Sequence, residues 1–145
     1  MERPMRVLVL CTGNSARSQM AEGLLRHLSN GRIEAHSAGT QPRPEVHPLA
    51  VATMRDRYGI DISAQRPKLV GPFLGQPIDA VITVCDNAAE TCPVFPGNTE
   101  RIHWSFPDPA AVEGTLEEQR QAFEQVAADI ADRLRSWLSE LRRSP

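Results

Sequence analysis

The run Val7-Leu8-Val9-Leu10 is apolar at every position and empties directly into Cys11-Thr12-Gly13-Asn14-Ser15-Ala16-Arg17-Ser18. A strand with one face in water alternates apolar and polar residues. An unbroken apolar run suits a strand covered on both faces, as in a parallel sheet. Residues 6–10 are therefore predicted to form such a strand. Gly13 and Asn14 follow as turn formers. Met20, Leu24, Leu25 and Leu28 then recur at helical spacing until Gly31 stops the helix.

The same alternation continues. A second strand is predicted over residues 33–38, then a Pro-rich loop and a helix that begins near Pro48 and stops before Gly59. Residues 78–84 form a third apolar, β-branched strand, and a shorter one is expected over 101–104. Residues 65–77 hold too much Pro and Gly for a long helix. Thr115 and Glu118 form a capping box, after which Phe123, Val126, Ile130, Leu134, Trp137, Leu138 and Leu141 mark one face of a long final helix. Strands alternating with helices predict an open parallel sheet of about four strands with helices on both faces. Ligands in such sheets bind beyond the carboxyl ends of the strands, where Cys11, Cys85 and the loop after Trp104 fall.

At 145 residues the chain is read as one domain, residues 1–145, able to bury about 68–70% of its unfolded surface without disulfide staples. The composition, 41% hydrophobic and 23% charged, is that of a soluble globular protein. A net charge of -2 supplies no global field for nucleic acid or an anionic membrane. No apolar run approaches a membrane span and no signal-peptide pattern opens the chain, so a cytoplasmic protein without a membrane partner is expected. A monomer is expected as well. In a reducing compartment three cysteines are either inert buried thiols or catalytic ones.

Cys11, five intervening residues and Arg17 form a short pattern that chance can produce. Its setting supplies the specificity. Between a strand end and a helix start, successive backbone N–H groups can form an anion nest at a positive helix end, and Gly13 and Asn14 tolerate the left-handed backbone a nest uses. Thr12, Gly13, Asn14, Ser15, Ala16, Arg17 and Ser18 are the expected oxyanion-binding set. Arg17 offers a planar fork for two oxygens. The same field favours a Cys11 thiolate of lowered pKa, to which Ser18 could donate. A Walker-type loop fits worse, because its Gly-Lys-Ser/Thr ending is missing.

Cys85 ends the third strong strand and Cys92 lies seven residues later. Structural zinc sites use closer pairs. Two readings stay open, buried structural thiols or a redox pair. If the third strand lies beside the first, Cys11 and Cys85 start about 4.8 Å apart, within disulfide range. Residues 86–90 read as a cap and a short helical turn. An intact helix would hold positions 85 and 92 about 10.5 Å apart, so their pairing requires unwinding. Asp108, before Pro109, either starts a turn or serves as a general acid over the loop.

Cys-x5-Arg-Ser after an N-terminal strand resembles the phosphate-binding loop of low-molecular-weight protein tyrosine phosphatases and of the arsenate reductases that share their fold. The string CTGNSARSQMAEG, with Ser37-Ala38-Gly39 after the second strand, resembles the reductases closely. The resemblance implies a low-molecular-weight tyrosine phosphatase-like fold and a three-thiol relay. Cys11 attacks arsenate, Cys85 attacks Cys11 and releases arsenite, and Cys92 takes over the disulfide for reduction by thioredoxin. It implies that Asp108 is the acid. Ala110 lacks the ring that would line a phosphotyrosine cleft, which favours a small inorganic substrate.

The chain departs from the reductase pattern in two respects. Ala16 replaces a further loop cysteine that the relay does not use. Where some members bind potassium near positions 14 and 37, this chain carries Arg66 and Lys68, so no required metal and no tightly bound cofactor are expected. The competing readings are a phosphatase using Cys11, Arg17 and Asp108, and a non-enzymatic redox sensor or anion-binding module.

Overall fold

In the computed structural model, which describes residues 4–85, 95 and 97–143, the apolar run is the core of β1 (Met5–Cys11). Residues 7–11 are all buried, as a doubly covered strand requires. β2 (Ile33–Gly39), β3 (Ala80–Thr83) and β4 (Glu100–His103) complete one parallel sheet in the order β2-β1-β3-β4. Each strand end lies within two residues of its expected bound. β3 is shorter than predicted, so Cys85 lies just beyond its end.

Adjacent residues of β2 identify what covers each face. Ser37 donates to Glu22 on α1 (Arg17–Leu28), whereas the preceding residue, His36, faces the Phe73 ring at 5.5 Å. Side chains alternate along a strand, so α1 lies on one face and the 3₁₀ turn Gly71–Gly75 on the other. That turn, with the isolated bridge between Gly39 and Leu69, gives structure to the Pro- and Gly-dense segment. α1 packs Met20, Leu24 and Leu25 with no exposed surface. It ends where Gly31 adopts φ 76°.

α2 (Pro48–Thr53) starts with proline in its first turn and widens into a π-helical turn, Met54–Tyr58, before Gly59 ends it at φ 66°. The final helix, α3 (Leu116–Arg143), begins at the expected capping box: the Glu118 amide donates to Thr115 Oγ1 at 3.1 Å and the Thr115 amide to Glu118 Oε1 at 3.3 Å. Its stripe buries Phe123, Val126, Ile130, Leu134 and Trp137. Each such side chain contributes about 1.5–3 kcal/mol relative to exposure. Trp104, after β4, meets Trp137 edge-on at 6.1 Å and lies under the Arg133 guanidinium.

Gly39 ends β2 where the chain passes closest to the loop after β1. A Cβ there would lie 2.5 Å from the Thr12 carbonyl oxygen and 3.0 Å from Asn14 Cβ. The first neighbour is backbone and cannot swing aside. Gly39→Ala is expected to cost about 1–3 kcal/mol of unfolding free energy through overpacking, read as a lower urea midpoint at unchanged m-value.

Candidate active site

The loop after β1 is shaped by where its carbonyl groups go. Thr40 N donates to Cys11 O (3.3 Å), Gln41 N to Thr12 O (2.9 Å), Arg43 N to Gly13 O (2.9 Å) and His47 N to Ser15 O (2.8 Å). Gln19 Nε2 takes Asn14 O at 3.0 Å. Residues 40–47 thus form a strap along the loop's outer side. In a trans peptide the C=O and the following N–H point opposite ways. Carbonyls bound to the strap therefore turn the N–H groups of Thr12, Gly13, Asn14 and Ala16 away from it, as an anion nest requires.

Asn14 is the loop's hinge, fully buried at φ 48°. Its Oδ1 accepts from Gln19 Nε2 and the Lys68 amide, and its Nδ2 donates to Ser18 Oγ at 2.8 Å. The bond to Asn14 leaves the buried Ser18 hydroxyl its proton for another acceptor. Gly13 does not take the left-handed conformation expected of it. Its missing side chain is used differently, because a Cβ would meet the Arg43 side chain at 3.2–3.4 Å.

Residues 11–17 line a cavity of about 360 Å³ with Gln41, Arg43, Asp108 and Ala110. Arg17 Nη1 donates to Phe106 O at 3.0 Å, and Nη2 lies 3.9 Å from Asp108 Oδ2. Arg17 Nε is buried and has no hydrogen-bond partner among the described residues. A buried charged N–H left unpaired is costly, and an oxyanion oxygen would satisfy it. Asp108 starts a turn, as one reading expected, and it also stands where the other would need it. Its Oδ1 caps the turn Pro109–Ala111 through the Ala110 amide, while the residue lines the cavity.

Cys11 and Cys85 are both free thiols, 4% and 5% exposed. Their Sγ atoms are 3.5 Å apart, and Thr12 Oγ1 lies 3.4 Å from Cys85 Sγ. β1 and β3 are neighbours, so the two cysteines just past their paired ends meet. This contact reverses one expectation. The hydrogen bond to Cys85 and burial push the Cys11 thiol above its ordinary range, against the pull of the Arg17 guanidinium and the Thr12 amide.

Cys92, the third expected thiol, and the turn expected over residues 86–90 lie outside the described residues. The strap and the place of His47 were not among the features expected from sequence. His47 caps α2 by accepting from Leu49 N at 3.1 Å and packs on Phe123 at 4.7 Å. Proline at the first position of a helix was the signal that a cap stood at residue 47.

A parallel α/β sheet that carries a cysteine, an anion nest and an arginine at one strand end defines a thiol-based enzyme acting on oxyanions. Comparison with known proteins narrows this. The family description for low molecular weight phosphotyrosine protein phosphatase matches residues 6–145, and the chain belongs to that family. Within it, an arsenate reductase of Halalkalibacterium halodurans is 43% identical over 131 residues, spanning 90% of this chain and 93% of its own. A thioredoxin-dependent arsenate reductase of Corynebacterium glutamicum superposes with TM-score 0.78 at 27% identity, over 100% of this chain, which spans 66% of that protein's length. Another solved structure, an arsenate reductase in the phosphate binding state, aligns with TM-score 0.75 at 30% identity over 94% of this chain and 98% of that one.

Cys85→Ala removes the contact that raises the Cys11 pKa. Below its pKa, the thiolate fraction grows about tenfold for each unit by which the pKa falls. Alkylation of the Cys11 peptide by iodoacetamide, followed by mass spectrometry, should be faster in the variant at neutral pH, with the profile midpoint moved to lower pH.

Proposed function

We propose that this chain reduces arsenate to arsenite, working as one domain and a cytoplasmic monomer without nucleic-acid or membrane partners. No helix among the described residues is long and apolar enough to cross a membrane. The observation that carries the reading is the second thiol, Cys85, 3.5 Å from the nucleophile. A phosphatase hydrolyses its cysteinyl phosphate with water and has no use for it.

Arsenate binds in the nest with its oxygens on the loop amides and on Arg17, whose unpaired Nε fits this role. The Cys11 thiolate attacks arsenic, and Asp108 supplies the proton with which a hydroxide leaves as water. Cys85, as thiolate, then attacks Cys11 Sγ. The S–S bond forms as the S–As bond breaks, and its electron pair stays on arsenic, which departs as arsenite. Cys92 attacks Cys85 in turn, freeing the Cys11 thiolate. Thioredoxin's dithiol reduces the Cys85–Cys92 disulfide.

Ala110, rather than an aromatic residue, lines the cavity beside Asp108, which supports a small inorganic substrate. Cys11→Ser should abolish arsenate-dependent NADPH oxidation in the presence of thioredoxin and its reductase. Cys92→Ser should complete about one turnover and accumulate a Cys11–Cys85 disulfide on mass mapping. Sustained turnover by Cys92→Ser with thioredoxin alone would exclude this order. Aryl phosphate hydrolysis outpacing arsenate reduction would favour the phosphatase instead.

The metal-free reading is supported at Glu22. This carboxylate, with a side chain 6% exposed, accepts from Ser37 Oγ at 2.7 Å and pairs with Arg26 at 3.2 Å and with Lys68 Nζ at 3.7 Å. Arg66 is turned elsewhere, to the Ser63 and Gln65 carbonyls. A tethered ammonium already balances the buried charge. Replacing potassium chloride by tetramethylammonium chloride at equal ionic strength should change kcat/KM by less than about twofold. Marked activation by potassium would count against this.

A further inference from the structure

Among the described residues, three that line the cavity are charged: Arg17, Asp108 and Arg43. Arg17 lies 3.9 Å from Asp108, so the two side chains together present no net charge to an incoming dianion. Arg43 makes the balance positive. Its guanidinium has no ion-pair or hydrogen-bond partner among the described residues, whereas Arg17 is held by the Phe106 carbonyl.

The placement of Arg43 is built. It stands between Pro42 and Pro44. Each proline fixes its own φ, and the second also restricts Arg43 to extended backbone. The Arg43 amide is tied to Gly13 O at 2.9 Å. From there the side chain crosses directly over Gly13, where a Cβ would meet Nε at 3.2 Å, Cγ at 3.3 Å and Cδ at 3.4 Å. At about 360 Å³ the cavity is far larger than one tetrahedral anion against Cys11 needs, which leaves room for a second cation at the rim.

We infer that Arg43 is a second oxyanion-binding residue, which draws a tetrahedral dianion into the cavity and holds its outward oxygens while the loop and Arg17 hold the inner ones. This rests on the oxyanion site proposed above and adds a residue to it. Fields from surface guanidinium groups act mainly on capture and are screened by salt. The effect should therefore appear in binding and KM more than in kcat.

The test is inorganic phosphate binding to the full chain by calorimetry at low and high sodium chloride, for the parent, Arg43→Lys, Arg43→Ala and Arg43→Glu. All four keep the backbone bond to Gly13, and circular dichroism checks the fold. The dissociation constant should rise in the order parent, Lys, Ala, Glu, by about three- to tenfold at Ala, with a shallower salt dependence in Ala. Arsenate KM should follow this order while kcat changes less than about twofold. Binding by Ala within twofold of the parent at both salt concentrations, or Glu no weaker than Ala, overturns the inference. Phosphate binding needs no turnover. Loss of arsenate reduction in the parent with the binding order intact would therefore overturn the proposed reaction and leave Arg43's role standing.

Discussion

The site depends on hydrogen bonds that face away from it. A nest of inward N–H groups is possible only if the carbonyls of the same peptides find partners outside, because buried backbone groups cannot be left unpaired. Here the strap at residues 40–47 takes the carbonyls of Cys11, Thr12, Gly13 and Ser15, and the Gln19 side chain takes that of Asn14. The loop's curvature, the left-handed Asn14 and the close approach of Gly39 all belong to this arrangement. His47 extends it into the core, bonding Ser15 through its backbone and packing its ring on Phe123 of α3.

Sheet order supplies the second constraint. β1 and β3 are parallel neighbours, so their carboxyl ends lie side by side and bring Cys11 to Cys85 without any specialised loop. The proximity on which the proposed disulfide exchange relies also works against the proposed thiolate attack, because the shared hydrogen bond and burial favour the protonated Cys11 thiol. Arg17 and the Thr12 amide pull the other way. In the proposed reaction, an oxyanion bound to Arg17 Nε and the loop amides would change the environment of Cys11 at the moment its thiolate is needed.

Charge is arranged in two separate layers. Inside, Glu22 is neutralised by Arg26 and Lys68 and bound by Ser37, and the Lys68 backbone reaches Asn14, so this buried carboxylate belongs to the packing behind the loop. Facing the cavity, Arg17, Asp108 and Arg43 are the charged side chains among the described residues. Lys68 is the sole lysine in the chain, and its position beside Glu22 gives that singularity a physical role.

Much of this was legible from local pattern. The unbroken run at residues 7–10, the β-branched run ending before Cys85 and the stripe from Phe123 to Trp137 determine strand and helix through burial periodicity. The capping box at Thr115 and Glu118 and the stop at Gly31 are chemistry within a few residues of chain. Cys11, Arg17 and Ser18 are close enough in sequence to declare a loop. Tertiary structure alone decided what lies across from that loop. The strap, the fit of Gly39 against Thr12 and the passage of Arg43 over Gly13 join residues 27 to 32 apart, and the Cys11–Cys85 contact joins residues 74 apart. Such contacts leave no period in the chain. The expected fall in the Cys11 pKa failed for this reason: the loop's own charges are written locally, but the second thiol that outweighs them arrives from another strand.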